Sequence, residues 1–331
     1  MEHQNSATTE MVVSAILGLT GGGVYLLFSV LASVYLLGSY GAAMFFGAPI
    51  MTCAISAYFL NRNFDFGLGR TVIHAIATLL FASLAFLVFA IEGGICILMA
   101  IPIFAPLGLL GSVVGYSIAV SCHRPNHDER RGLYGCILML PLMAILESKM
   151  NTNTIIEVRS QIVVQAPVDS VWKRVVDFPD ITAEPSGILR FGIAYPIRAR
   201  IDGVGIGAVR YCEFTTGSFV EPITAWDEPN RLAFDVTSQP EPMSELSPYR
   251  HIHPPHLDGT FRSLRGEFRL FELADGGTRL EGSTWYQLDI GPRVYWKLWT
   301  DWILHRIHDR VLNHVKQLAE RDVGVPRLNP K

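Results

Sequence analysis

The pattern of apolar and polar positions divides the chain in two. Up to about residue 147, long apolar runs follow one another; from Thr154 onward, apolar residues alternate with polar ones or recur at helical spacing. A helix needs about 20 apolar residues to cross about 30 Å of hydrocarbon. Met11–Leu37, Ala42–Leu60, Thr71–Ile91 and Gly94–Val120 reach that length, and Gly132–Leu146, which is shorter and contains Pro141, is a fifth candidate. Across residues 1–121 the charged side chains are Glu2, Glu10, Arg62, Asp65, Arg70 and Glu92, with no lysine. These features predict an all-α transmembrane bundle of about five helices over residues 1–150, a globular domain over 151–323 and a tail over 324–331. The first run lacks a basic leader and is longer than the apolar core of a cleaved signal, so it reads as a span.

Arg62 and Arg70 lie between runs two and three, and Arg124, Arg130 and Arg131 between runs four and five, whereas Gly38–Gly41 and Glu92–Gly93 hold no basic residue. The excess of Lys and Arg in cytoplasmic loops puts both basic loops and the N-terminus in the cytoplasm. Five crossings then put the globular domain outside, and four put it inside. No ionisable group lies deep in a run, which argues against a transporter or pump. Gly18-x-x-x-Gly22 and Gly111-x-x-x-Gly115 have the spacing that lets helices approach closely, either within the bundle or between copies of the chain.

In the second half, Ile155–Gln165 alternates as a half-buried strand does. Ala166-Pro167-Val168-Asp169 opens a helix with an apolar face of Val168, Val171, Trp172, Val175 and Val176, which Pro179 stops. Strand-like runs follow at Tyr195–Ile201, Ala208–Thr215, Glu221–Asp227, Arg231–Thr237, Thr260–Leu273 and Thr278–Ile290, the last two joined by the hairpin signal Asp275-Gly276-Gly277. A helix from Arg293 to Arg321 closes the domain, with Trp296, Trp299, Ile303, Ile307, Val311, Val315 and Leu318 along one face. A curved antiparallel sheet around that helix buries these faces together.

Composition narrows the partners. The net charge of −3 over 331 residues gives no basic surface for nucleic acid. Five cysteines without a Cys-x-x-Cys argue against a disulfide framework or a zinc cluster, and no cofactor is expected. There is no nucleophile elbow, no His-Glu-x-x-His, no P-loop and no dinucleotide fingerprint.

The segment Ala166-Pro167-Val168-Asp169-Ser170-Val171-Trp172, leading to Val176-Asp177-Phe178-Pro179, resembles the opening of the START-like polyketide cyclase/dehydrase superfamily, often called SRPBCC. Gly205-Ile206-Gly207-Ala208-Val209-Arg210 and Ile223 to Phe234 resemble its middle strands. The resemblance covers about residues 155–321. It implies an α+β helix-grip fold with an apolar cavity between the sheet and the C-terminal helix. Members of the superfamily include carriers, cyclases and ligand sensors. Two departures stand out: no tryptophan near Thr182–Ser186, and an insert at Ser238–Gly259.

That insert holds five prolines, Tyr249, His251, His253, His256 and Asp258, and its place between two strands suggests a lid over the cavity mouth. Its histidines admit three readings: bonds to loop backbone, a pH-sensitive lid, or metal ligation, with no metal as the preferred expectation because Pro254-Pro255 keeps the histidines apart. His305 and His308 fall opposite the apolar face of the last helix and are expected in solvent. His314 returns to that face and is expected in the core or the cavity. Tyr211, Tyr286, Trp296 and Trp299 are further cavity candidates, and Glu267 and Arg269 are expected on the solvent face. The leading functional reading is a multi-pass membrane protein, in the inner or plasma membrane, that binds or transfers a hydrophobic small molecule or lipid. The alternatives are a cyclase/dehydrase-type enzyme and a non-catalytic sensory or interaction domain.

Overall fold

The computed structural model describes residues 2–38, 40–122, 155–249, 252–257 and 259–324, and the chain forms two compact units. The first holds the apolar N-terminal helices together with Glu245–His256 and Ile290–Val294; the second holds the sheet and its helices. The fifth apolar run, Gly132–Leu146, lies outside the described residues.

In the first unit, α1 (Glu2–Leu31) continues through a π-helical turn at Ala32–Leu36. A second π-helical turn at Ala43–Gly47 leads into α2 (Ala48–Asn61), followed by α3 (Leu68–Val88) and α4 (Gly94–Cys122). Four helical stretches, Thr8–Leu36, Ala43–Asn61, Leu68–Val88 and Gly94–Ser121, are long and apolar enough to cross a membrane. Most of α2 is buried, whereas α1, α3 and α4 turn side chains such as Phe28, Ile73, Phe81 and Leu98 outward. The bundle is therefore built around α2.

Small residues set its packing. A Cβ on Gly18 or Gly22 would lie 2.8 Å from the carbonyl oxygen of Ser56 or Thr52, and one on Gly111 or Gly115 would lie 2.1 Å from that of Ile50 or Ala54. Both glycine pairs are thus used within the chain, against α2. Side-chain bonds add to the close approach: Ser56 Oγ and Thr78 Oγ1 are 2.9 Å apart, and Asn61 Nδ2 donates to Thr71 Oγ1 at 2.8 Å. Gly115→Leu must push α4 off α2, so a stability loss of about 2–3 kcal/mol is expected. The check is the melting temperature of the purified full chain in detergent; no drop would mean that α4 does not rest on α2 here.

The second unit runs β1 (Ile155–Val164), α5 (Val168–Val176), a 3₁₀ turn (Gly187–Phe191), β2 (Pro196–Asp202), β3 (Val209–Phe214), β4 (Gly217–Asp227), β5 (Arg231–Asp235), β6 (Phe261–Glu272), β7 (Thr278–Leu288) and α6 (Arg293–Asp322). The seven strands form one antiparallel sheet in the order β1-β7-β6-β5-β4-β3-β2. Register shifts at Pro196/Arg198, Ile223/Ala225 and Ser263/Arg265 bend it. Both edges of the sheet reach α6. From β1, the Val163 carbonyl accepts from Lys316 Nζ at 2.7 Å; from β2, the Pro196 carbonyl accepts from Arg310 Nε at 3.0 Å. One helix bonded to both edge strands of a seven-stranded sheet is a helix-grip arrangement.

Val171, Trp172 and Val175 of α5, and Val311, Leu312, Val315 and Ala319 of α6, close the core over Ile223, Leu232, Leu270 and Leu280. The buried face of α6 differs from the expected one. It runs through Trp296, Leu304, Val311, Leu312, Val315 and Ala319, while Ile303 and Ile307 are only half-buried. Periodicity counts apolar residues alone, and this face also includes a polar residue, His308, four positions from both Leu304 and Leu312.

Candidate functional site

Polar groups gather in three places on the second unit, two on the inner face of the sheet and one at its β2 edge. The first is at the centre of the inner face. Arg210 on β3 and Glu221 on β4 are cross-strand partners, and alternation points both inward. Their side chains are 2% and 7% exposed and form an ion pair. The guanidinium carbon lies 5.8, 5.3 and 5.6 Å from the ring centres of Phe178, Phe234 and Phe268. Phe234 reaches this position because residue 266 is glycine: a Cβ there would fall 2.5 Å from the ring. Burial holds the Glu221 carboxyl above the usual carboxylate range, with Arg210 opposing. Burial also pushes the neighbouring Cys212 thiol up to about 12, so this thiol is inert at neutral pH.

The second is a chain of hydrogen bonds between α6, β1 and β7. Ser160 Oγ lies 2.7 Å from His305 Nδ1 and 3.1 Å from His308 Nδ1, and His308 Nε2 lies 2.8 Å from Thr284 Oγ1. The expectation that both histidines face solvent is corrected: each meets the sheet, because hydroxyls on β1 and β7 satisfy the imidazoles. Burial lowers the His308 pKa to about 4, with His305 adding in the same direction. Nearby, the buried Tyr286 hydroxyl donates to Asp301 Oδ1 at 2.6 Å, and burial followed by that carboxylate raises the phenol's pKa. Lys297 pairs with the same carboxylate.

The third is an open groove of about 870 Å³ bounded by residues 177–183, by β2 and β3, and by α6. Phe178, Ala199 and Leu318 supply apolar surface; Arg198, Arg200, Gln317 and Arg321 supply polar surface. Arg198 and Arg200 are held by Glu213 at 2.7 and 3.2 Å, which keeps that carboxyl below its usual range. His314 lines the groove too, edge-on to Phe178 with ring centres 5.6 Å apart and Nε2 3.1 Å from the Pro179 carbonyl. Burial lowers its pKa, partly opposed by that hydrogen bond.

Of the other candidates, Tyr211 points to the opposite face, where Arg200 lies over its ring at 5.0 Å. Tyr286 and Trp296 are buried, and Trp299 is half-buried against Trp302, with ring centres 5.9 Å apart. Glu267 lies on the outer face between Arg231 and Arg269. Burial acts to raise its pKa, but hydrogen bonds from both arginines outweigh it and leave the carboxyl low.

The insert divides. Its first part stays with the sheet, where the Pro242 and Gly192 carbonyls accept from Ala194 and Ser244 at 3.0 and 2.8 Å. Its second part, Glu245–His256, belongs to the helical unit, and among the described residues none of the insert lines the groove. In the helical unit the Tyr249 hydroxyl donates to the Val88 carbonyl, and His253 is exposed. His256 enters a side-chain cluster. Its Nδ1 lies 3.0 Å from Glu92 Oε2, and its Nε2 lies 2.8 Å from Cys96 Sγ and 3.8 Å from Glu245 Oε1. Cys96 Sγ lies 2.7 Å from Glu245 Oε1, and the Tyr40 hydroxyl donates to Glu92 Oε1 at 3.0 Å. Burial and Glu92 raise the Tyr40 pKa. Glu245 also accepts from the Ile95 N–H at 3.1 Å, at the start of α4, where the helix dipole favours an anion. Glu92, Cys96 and His256 have the donor types and proximity to hold a metal ion.

Several solved structures are similar over the C-terminal half. They include the Zhui aromatase/cyclase from Streptomyces sp. R1128 (16% identity, TM-score 0.33, 51% of this chain and 96% of that one). Norcoclaurine synthase from Thalictrum flavum, in complex with dopamine and hydroxybenzaldehyde, has 12% identity and a TM-score of 0.35 over 51% of this chain and 88% of its own. A protein from Nitrosomonas europaea has 14% identity and a TM-score of 0.31 over 50% of this chain and 96% of its own. No family model matches the sequence, and no curated protein does.

Proposed function

We propose that the helix-grip unit takes up a small amphipathic molecule, largely apolar with a polar head, and that the helical unit holds it in a membrane. The groove carries this reading. Its volume of about 870 Å³ lies in the range of small-molecule sites, roughly 300–1,000 Å³, and it sets apolar side chains such as Phe178 and Leu318 beside charged ones such as Arg198 and Arg200. A bilayer is the natural source of a ligand with little solubility in water.

The cyclase-type alternative draws on the bonded His305–Ser160–His308 chain, because desolvated imidazoles are candidates for proton transfer. These groups do not line the groove, so binding is the leading reading.

An outer location for the helix-grip unit is supported within the helical unit. Glu245–His256 meets Tyr40 and Glu92, at the ends of the helices whose connecting loops lack Lys and Arg.

The test uses the full chain in detergent. Mass spectrometry of the purified protein is expected to find a bound apolar molecule, and a dansyl fatty acid is expected to compete with it. Gln317→Trp and Leu318→Trp fill the groove from α6 and are expected to weaken dansyl binding at least tenfold. A protein without ligand, or one whose probe binding ignores both tryptophans, would overturn the reading.

A further inference from the structure

We propose that Cys96, Glu245 and His256 form a binding site for one zinc-class divalent cation, with Glu92 and Tyr40 orienting the histidine. This does not depend on the ligand-binding reading, because every residue lies in the helical unit.

Three donor types converge. Cys96 Sγ, Glu245 Oε1 and His256 Nε2 are separated by 2.7, 2.8 and 3.8 Å. Donors around a tetrahedral zinc ion stand roughly 3.3–3.6 Å apart, given bond lengths of about 2.0–2.3 Å. No pair needs to move by as much as about 1 Å to reach that spacing. Sulfur, imidazole and carboxylate together suit zinc; calcium and magnesium prefer oxygen alone.

The surroundings also fit. Ligating histidines usually give their other ring nitrogen to a carboxylate, which fixes the tautomer. Here Glu92 Oε2 stands 3.0 Å from Nδ1, and Nε2 is the ring nitrogen that faces Cys96 and Glu245. The Tyr40 hydroxyl fixes Glu92 in turn, at 3.0 Å.

Charge gives a separate argument. The Glu245 side chain is 0% exposed and that of Glu92 12% exposed. Against two carboxylates and a thiol, the cluster's own side chains offer at most one positive charge, on His256. A divalent cation held among these donors would balance both carboxylates. The position is tightly defined as well: a Cβ on residue 93 would fall 2.0 Å from Glu245 Oε2, and the Gly94 N–H donates to the Leu246 carbonyl at 2.8 Å.

The same atoms resemble a Cys–His–Glu nucleophile triad. A reactive thiolate wants positive surroundings, however, and a carboxylate oxygen 2.7 Å from Sγ repels one unless a cation lies between them. Geometry and charge together favour the metal.

The experiment uses the full chain purified in detergent without metal-affinity resin. Elemental analysis is expected to find about one zinc per chain. After chelation, cobalt(II) alone is expected to give a thiolate charge-transfer band that Cys96→Ser abolishes. Glu92→Gln is expected to keep the site but weaken zinc binding about 10–100-fold against a competing indicator. Zinc should also protect Cys96 of the unaltered chain from alkylation, a readout that no folding defect can imitate. A chain without zinc and without the cobalt band, or a Cys96 alkylated equally fast with and without zinc, would overturn the proposal.

Discussion

Arg210→Met is expected to destabilise the helix-grip unit by about 3–5 kcal/mol, because it leaves the Glu221 carboxylate buried without its cation. Arg210 and Glu221 face each other across β3 and β4, and both are nearly inaccessible. Three phenyl rings surround the guanidinium, so a neutral side chain also forfeits its attraction to their faces. Without Arg210 nothing opposes the burial that raises the Glu221 pKa, so the carboxyl folds as the neutral acid at a cost that grows with pH. The companion variant, Arg210→Met with Glu221→Leu, removes both charges and is expected to recover most of the loss, since an apolar pair of similar volume does as well as a buried ion pair. Urea unfolding of the full chain, followed through Trp172 and Trp226 (ring centres 5.5 Å apart beside this core), measures both. If the double variant were as unstable as the single one, the pair would not be the source of the loss.

This ion pair also shows where sequence reading stops. The strands, the hairpin at Asp275-Gly276-Gly277 and both helices of the second unit were legible, because alternation and helical spacing reflect which face is buried. Along β3, Arg210, Cys212 and Phe214 share one parity and Tyr211 and Glu213 the other, so the inward turn of Arg210 was written there. It went unread because a charge is ordinarily assigned to water, and only the register against Glu221 supplies its partner. His305 and His308 were misplaced for the same reason: an imidazole on a buried helix face is stable only if hydroxyls meet it, and Ser160 stands 145 positions away from His305.

Legibility fell further in the Cys96 cluster. Its donors come from the start of the apolar helix α4 and from an insert 149 and 160 positions later, so no ligand spacing exists to detect. The insert read as a lid because its neighbours in the chain are strands, yet Glu245–His256 belongs to the helical unit. A local signal was present: Glu92 is the one charged side chain between α3 and α4, next to two glycines.

The second large effect is a pH dependence. His308 folds as a neutral imidazole with a pKa of about 4, against an ordinary value of 6.5. Above about pH 6.5 neither the folded nor the unfolded chain protonates it, so it adds nothing to the slope. Between about 6.5 and 4 the unfolded chain binds a proton that the folded chain refuses. Stability therefore falls as the pH drops through this window, by up to about 3 kcal/mol. Below about 4 both states are protonated and the loss is complete. The groups that face His308 are Ser160 on β1, Thr284 on β7 and His305 on α6. Carboxylates held low by arginines, such as Glu213 and Asp322, act in the same direction but in a lower window: they support the fold at neutral pH and lose that support only as the pH falls from the ordinary carboxylate range through their depressed values. The two sources therefore separate along the pH axis. His308→Gln keeps a donor and an acceptor but cannot take up the proton, so its urea midpoint is expected to decline less from pH 6.5 to 4.5 than that of the unaltered chain, the slope that remains belonging to groups such as His314. Equal slopes for the two proteins would mean that His308 is protonated in the fold, and that the bonds joining α6 to β1 and β7 tolerate the charge.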